Sequence, residues 1–259
     1  AYLNVPFFIG RAVVYFAIWL TLAYLFNRWS LAQDQTGAAK LAQRMRRVSA
    51  AGMILYMLTS TFAAYDWMMS LEPAWASSIY GLLFIIGQAL AALSLALIGL
   101  RVLTRRYGDG AEIIKSFNDL GNFMLGFVMI WAYFAFSQFL IIWSANIPEE
   151  AIWYVHRTHG GWQGVGLFLI AFHFVLPFFL LLSRRVKRQA QLLMALAVLI
   201  LCVRLVDLFW LIVPAFYPEG LHVHWLDLVI VLALGGLWFA FFLWQWTGKT
   251  VVPQHDPHL

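Results

Sequence analysis

Seven ionisable side chains interrupt stretches of the chain that are otherwise apolar: Arg11, Asp66, Asp119, His173, Arg204, Asp207 and Asp227. Each costs about 2.5–3.5 kcal/mol to place in hydrocarbon, so each needs a partner, a hydrated cavity or a task. Carboxylates and an imidazole in such surroundings suit the movement of protons. Arg204 and Asp207 are three residues apart and share a helix face. They form either a charge relay in the wall of a hydrated cavity or a structural ion pair. His173 stands alone in the middle of its run. A bis-histidine haem needs a second axial ligand at matching depth, and no other run has a central histidine. His173 therefore reads as a proton relay or as a buried histidine bonded to a neighbouring helix.

The remaining candidates lie nearer the ends of their runs. Asp66 opens the string Asp66-Trp67-Met68-Met69-Ser70-Leu71-Glu72-Pro73. A carboxylate there could accept a proton from a quinol or open a proton path; the plainer reading is a solvated acid at a helix end. Asp119 follows Ser116 and Asn118 and either caps a helix or marks the mouth of a path. Asp227 lies near the start of the last run. His156 and His159 are one turn apart, and His222 and His224 flank the start of the last run. Four such histidines could bind a metal, but contact with a partner protein fits them better. The single cysteine, Cys202, excludes a disulfide, a Cys-ligated iron–sulfur cluster and a C-x-x-C-H haem site within this chain.

The elements that position these groups follow from composition. The chain is 63% hydrophobic and 11% charged, where soluble domains carry about 25% charged residues. Seven apolar runs reach the roughly 20 residues needed to cross a hydrocarbon core: 6–27, 49–69, 76–100, 119–144, 162–182, 191–213 and 223–246. Their length and unbroken apolarity specify helices, because lipid forces each segment to satisfy its own backbone. The expected fold is an all-α integral membrane protein of about seven transmembrane helices.

Basic residues give the orientation. Segment 28–48 carries Arg28, Lys40, Arg44, Arg46 and Arg47; 101–118 carries Arg101, Arg105, Arg106 and Lys115; 183–190 carries Arg184, Arg185, Lys187 and Arg188; Lys249 follows the last run. These 14 of the 17 Lys and Arg residues fall on one side, which the positive-inside rule places in the cytoplasm. Residue 1 is then expected outside and the C-terminal tail inside. The basic residues sit in short loops, so the net charge of +5 is not a nucleic-acid signal. Segment 147–159 begins Pro148-Glu149-Glu150 and ends before Gly160-Gly161, which predicts a short helix at the outer interface. Segment 28–48 reads as the longest polar connection and as a hinge, with an amphipathic helix over 38–48. Residues 1–48 are thus the first span with its basic loop, and 49–259 the main bundle. Seven spans also describe a retinal protein, but the last run has no lysine for a Schiff base. A transporter stays open as a reading: its signature is paired intramembrane charges and broken helices, and the sequence shows the charges but no clear Pro- or Gly-broken pair.

Two stretches carry a resemblance. One is Tyr65-Asp66-Trp67-Met68-Met69-Ser70-Leu71-Glu72-Pro73, continuing as Trp75-Ala76-Ser77-Ser78-Ile79-Tyr80-Gly81. The other runs from Asp119-Leu120-Gly121-Asn122-Phe123 through Trp131-Ala132-Tyr133-Phe134-Ala135-Phe136-Ser137-Gln138 to Asn146-Ile147-Pro148-Glu149-Glu150. Together they resemble the F component of alternative complex III, a bacterial quinol:electron-acceptor oxidoreductase, within the polysulfide-reductase-like membrane subunits. The resemblance implies a bacterial cytoplasmic membrane. It implies as partners a C-type membrane subunit, an iron–sulfur and molybdopterin-oxidoreductase-like B component, the haem c components A and E, and the membrane-attached D component. Menaquinol or ubiquinol, iron–sulfur clusters and haem c would be held by those partners, with no cofactor in this chain. Family members have ten spans in two four-helix bundles with peripheral helices, so three further helices are expected upstream of residue 1. An intact mass near 29.6 kDa would count against that.

The expected role is a non-catalytic membrane subunit of an electron-transfer chain, respiratory or photosynthetic, with a proton path inside it. Asp119 would lie at the inner mouth, His173 in the middle, and Arg204, Asp207, Asp66 and Asp227 toward the outer side. The alternatives are a structural anchor for the iron–sulfur and cytochrome subunits, and a quinol site beside Asp66.

Overall fold

The structure is a computed structural model that describes residues 2–37, 39–104 and 111–247. Its described residues form helices and no strands, and seven helices are long and apolar enough to cross a membrane. The chain is an all-α, multi-pass membrane protein. The long helices are α1 (Val5–Thr36), α2 (Ala39–Trp67), α3 (Tyr80–Thr104) and α4 (Ala111–Ala145). A short α5 (Pro148–Thr158) follows. The fifth span is broken into α6 (Trp162–Leu169), a π-helical turn at Ile170–Val175, and α7 (Leu176–Leu182). Then come the small α8 (Arg184–Arg188), α9 (Ala190–Ile212) and α10 (Trp225–Trp246).

Helix ends differ from the expected runs where polar residues continue a helix beyond its apolar part. Segment 28–48 is not a loop. α1 continues to Thr36 and α2 starts at Ala39, so the expected hinge reduces to a tight turn in which Gly37 caps α1 at φ 62°. The expected amphipathic helix over 38–48 is instead the first turns of α2 from Ala39 on; Ala38 lies outside the described residues. Ala, Leu, Lys, Arg and Gln are good helix formers, and leaving hydrocarbon gives such a helix no reason to stop. Arg44 stacks over the Trp29 ring at 4.7 Å, and Arg28 donates to the Tyr24 hydroxyl at 3.4 Å. α4 likewise begins at Ala111, eight residues before the expected start of its span. Arg105, Arg106 and Lys249 lie outside the described residues.

The chain forms two compact units, Ala1–Thr59 with His222–Leu259, and Ser60–Leu221. In the first, Asn4 caps α1 by accepting from the Phe7 N–H at 3.0 Å, and Trp19 donates to Thr59 at 2.9 Å. The second holds the apolar core, where α3, α4 and α9 pack through Leu90, Leu97, Met124, Val128, Leu193 and Ile200. Close approach in this unit depends on glycine. A Cβ at Gly81 would press on Thr61, and one at Gly121 on the Lys187 stem.

Candidate functional site

The π-helical turn in the fifth span has a local cause. Pro177 lacks an N–H and its ring crowds the carbonyl four residues back, which belongs to His173. The chain answers by widening the preceding turn, and the Leu176 N–H reaches the Ala171 carbonyl instead. The widened turn holds His173, which is fully buried against Trp131 at a ring-centroid distance of 4.2 Å. α9 brings Arg204 and Asp207 within electrostatic reach of the imidazole. Both are buried. Arg204 Nη1 donates to Asp207 Oδ2, and Nη2 donates to the Phe84 carbonyl on α3 at 3.3 Å. Gly87 on α3 makes this possible, since a Cβ there would overlap the guanidinium.

His173 differs from its charged neighbours in one respect. Neither of its ring nitrogens has a hydrogen-bonding partner among the described residues, nor does the indole N–H of Trp131. Buried polar groups are almost always satisfied. Two orphaned ring nitrogens beside an ion pair therefore fit a group that exchanges protons through water or mobile partners. They do not fit a histidine tied to a neighbouring helix.

A second polar cluster closes one end of the same unit. Arg157 on α5 is buried and forks onto Glu72, with Nη2–Oε2 at 3.0 Å and Nη1–Oε1 at 3.4 Å. Its other donors reach the carbonyls of Trp153, Trp210 and Leu211 at 3.0, 3.3 and 2.9 Å. The guanidinium lies 3.8 Å from the Trp153 ring centroid. This one side chain ties α5 to the end of α9 and to the turn after α2. Burial lowers the Arg157 pKa from its ordinary value, and the Glu72 carboxylate pulls it back up. Burial also pushes the Tyr154 hydroxyl up to about 12, opposed by a hydrogen bond from Gln138 and by the charge of Arg157. His156 Nδ1 lies 3.3 Å from Glu72 Oε1.

The other sequence candidates fall elsewhere. Asp119 is not the cap of its helix: it lies two turns inside α4, exposed, in a shallow groove with Asn122, Phe123 and Gly126. It precedes Trp131 by twelve residues, or roughly 18 Å of helix, so it is not gathered around His173. Asp66 is buried in the last turn of α2, where its backbone carbonyl accepts from Ser70 Oγ at 2.5 Å. Asp227 belongs to the first unit and forms a capping box with His224, accepting the His224 N–H at 2.9 Å. Arg11 folds back over Tyr2 and Phe7. His159 contacts its own helix at the Val155 carbonyl, 2.8 Å away. Among the described residues no three His, Cys, Asp or Glu side chains gather as a metal site would require.

Sequence reasoning did not single out Arg157, Tyr80, Trp131 or Pro177. Two signals were readable. Arg157 is the lone basic residue in the loops opposite the basic ones, and Pro177 stands four residues after His173. No protein-family model matches the chain, and no curated protein matches it.

Proposed function

We propose that this chain is a membrane subunit of a quinol:electron-acceptor oxidoreductase of the alternative complex III type, and that it conducts protons through its second unit. The observation that carries the proton reading is His173: fully buried, without a hydrogen-bonding partner at either ring nitrogen among the described residues, set in a π turn and within electrostatic reach of Arg204 and Asp207. π turns of this kind occur frequently at functional sites. Membership of the complex is supported by the resemblance of segments 65–81 and 119–150. In this reading the chain lies in a bacterial cytoplasmic membrane with its basic segments inside. Quinol, iron–sulfur clusters and haem c belong to partner subunits, and this chain transfers no electrons itself.

The test has two parts. An affinity-tagged chain purified from native membranes should bring down iron–sulfur and haem c subunits together with quinol-oxidising activity; purification alone, or with unrelated partners, rejects the complex. The complex carrying His173→Asn, reconstituted in proteoliposomes, should oxidise quinol with fewer protons moved per electron. An unchanged stoichiometry rejects the proton role.

A second reading, a structural anchor, is favoured by the Arg157 clamp, which fixes the turn after α2, α5 and the end of α9 as one rigid surface for docking subunits. It expects intramembrane polar substitutions to alter assembly and leave proton stoichiometry unchanged.

A further inference from the structure

The proton reading leaves the partly exposed Glu72–His156–Arg157 cluster without a task. The His156 and Glu72 side chains are 30% and 17% exposed, while that of Arg157 is wholly buried. Tyr80, also buried, interacts electrostatically both with Glu72 and Arg157 and with the Arg204–Asp207 pair. It opens α3 on the face that carries Phe84 and Gly87 one and two turns further on. Those two positions receive Arg204: the Phe84 carbonyl accepts its Nη2, and Gly87 gives its guanidinium room. The Tyr80 ring also meets Trp153 edge-on, with centroids 6.4 Å apart, and Trp153 carries the Arg157 guanidinium on its face. Trp75 packs edge-on against Tyr80 at 5.5 Å and holds the ring in place. The phenol thus lies within electrostatic reach of Glu72, Arg157, Arg204 and Asp207 together.

We propose that Glu72 and His156 form the mouth of the proton path, and that the Tyr80 hydroxyl links that mouth to the Arg204–Asp207 pair. This inference rests on the proton-conducting reading of His173. A phenol can donate and accept at one oxygen. A proton taken up by His156, the more exposed of the two, passes by way of Glu72 and binds Tyr80 Oη as the hydroxyl releases its own proton toward an Asp207 carboxylate oxygen. Tyr80 ends neutral, as it began. Asp207, neutralised beside Arg204, then gives the proton to a ring nitrogen of His173 and regains its charge. No electron moves, and the same steps run in reverse. Arg157 exchanges no proton: it holds Glu72 at the mouth. Asp66 is not needed on this route.

The test uses the intact complex in proteoliposomes, with quinol oxidation and internal pH followed together. Tyr80→Phe keeps the ring and its packing and removes only the hydroxyl. Proton movement should slow by on the order of 10²-fold, the contribution typical of a positioned proton-transfer group, while quinol oxidation in uncoupled vesicles stays unchanged. If His173→Asn impairs proton movement and Tyr80→Phe does not, the link through Tyr80 is wrong and the role of His173 stands. If neither variant impairs it, both fall. Should Tyr80→Phe fail to assemble, His156→Gln probes the path from its exposed end. Slowed proton movement there supports the mouth, and unchanged movement overturns it.

Discussion

Arg157 and Glu72 are 85 residues apart in the chain, yet Arg157 Nη2 lies 3.0 Å from Glu72 Oε2, with the guanidinium wholly buried. The carboxylate arrives on the turn after α2 and the guanidinium on α5. Among the described residues the partly exposed His156 is the other titratable group in contact with this carboxylate. The pair is therefore a joint rather than a surface decoration.

Arg157→Ala should lower stability by about 3–5 kcal/mol, the usual consequence of leaving one member of a buried pair alone. Arg157→Lys should recover only part of this. An ammonium restores the charge but cannot fork onto Glu72 while serving the three carbonyls that Arg157 also reaches. Thermal unfolding in detergent measures both; equal stability of the Lys variant and the native chain would contradict the clamp.

Gly87→Ala should cost about 1–3 kcal/mol, as overpacking usually does, because the new methyl overlaps the Arg204 guanidinium. Gly99 lies on the same helix with nothing near its missing Cβ. Gly99→Ala should be neutral, or stabilising by up to about 1 kcal/mol from helix propensity alone. Melting curves of the two variants, run side by side, check the contrast.

Gly160 sits at φ 59°, and a Cβ on it would collide with the backbone of Gly220. Its carbonyl accepts the Leu221 N–H at 2.7 Å, so the two loops are pinned together. Gly160→Ala should destabilise by at least about 1–2 kcal/mol, the strain of a left-handed conformation in an L-residue. Limited proteolysis near residue 220 should become faster in this variant; an unchanged cleavage rate would mean the loops are held by something else.

Tyr154 gives a pH dependence with a definite sign. Its pKa in the folded chain is pushed up to about 12 by burial, from an ordinary value of 10.0. The folded state therefore holds the phenolic proton more tightly than the unfolded state does. This contribution is complete below pH 10 and is lost as the pH rises to about 12. Tyr154→Phe should flatten that part of the stability profile. Chemical unfolding of the two proteins across this range is the measurement, and parallel profiles would contradict the assignment.

Several of these features are legible in the order of residues. α5 announces itself through Pro148-Glu149-Glu150 at its start and Gly160-Gly161 beyond its end, and it occupies 148–158. The Arg204–Asp207 pair follows from a spacing of three on one helix. Helix ends are less legible. Hydropathy reports the part of a helix that lies in hydrocarbon and is silent about polar turns beyond it, which is how 28–48 reads as a loop and Asp119 as a cap. Pro177 advertises a disturbed turn, but not that the turn widens into a π helix around His173.

The class of the molecule is written in the sequence alone: seven long apolar helices, and a short list of ionisable groups that lipid would not tolerate without cause. Each of those conclusions concerns the transfer of one residue or one segment out of water, and transfer is a local property. Which ionisable groups meet is a matter of tertiary structure. It placed Arg157 on Glu72, Tyr80 within electrostatic reach of two ion pairs, and His173 within that of Arg204 and Asp207, while it left Asp119 on an exposed face. Those outcomes depend on how each helix is rotated about its axis and on where distant loops return. Both are set by the packing of glycines and aromatic rings between helices, to which hydropathy is blind.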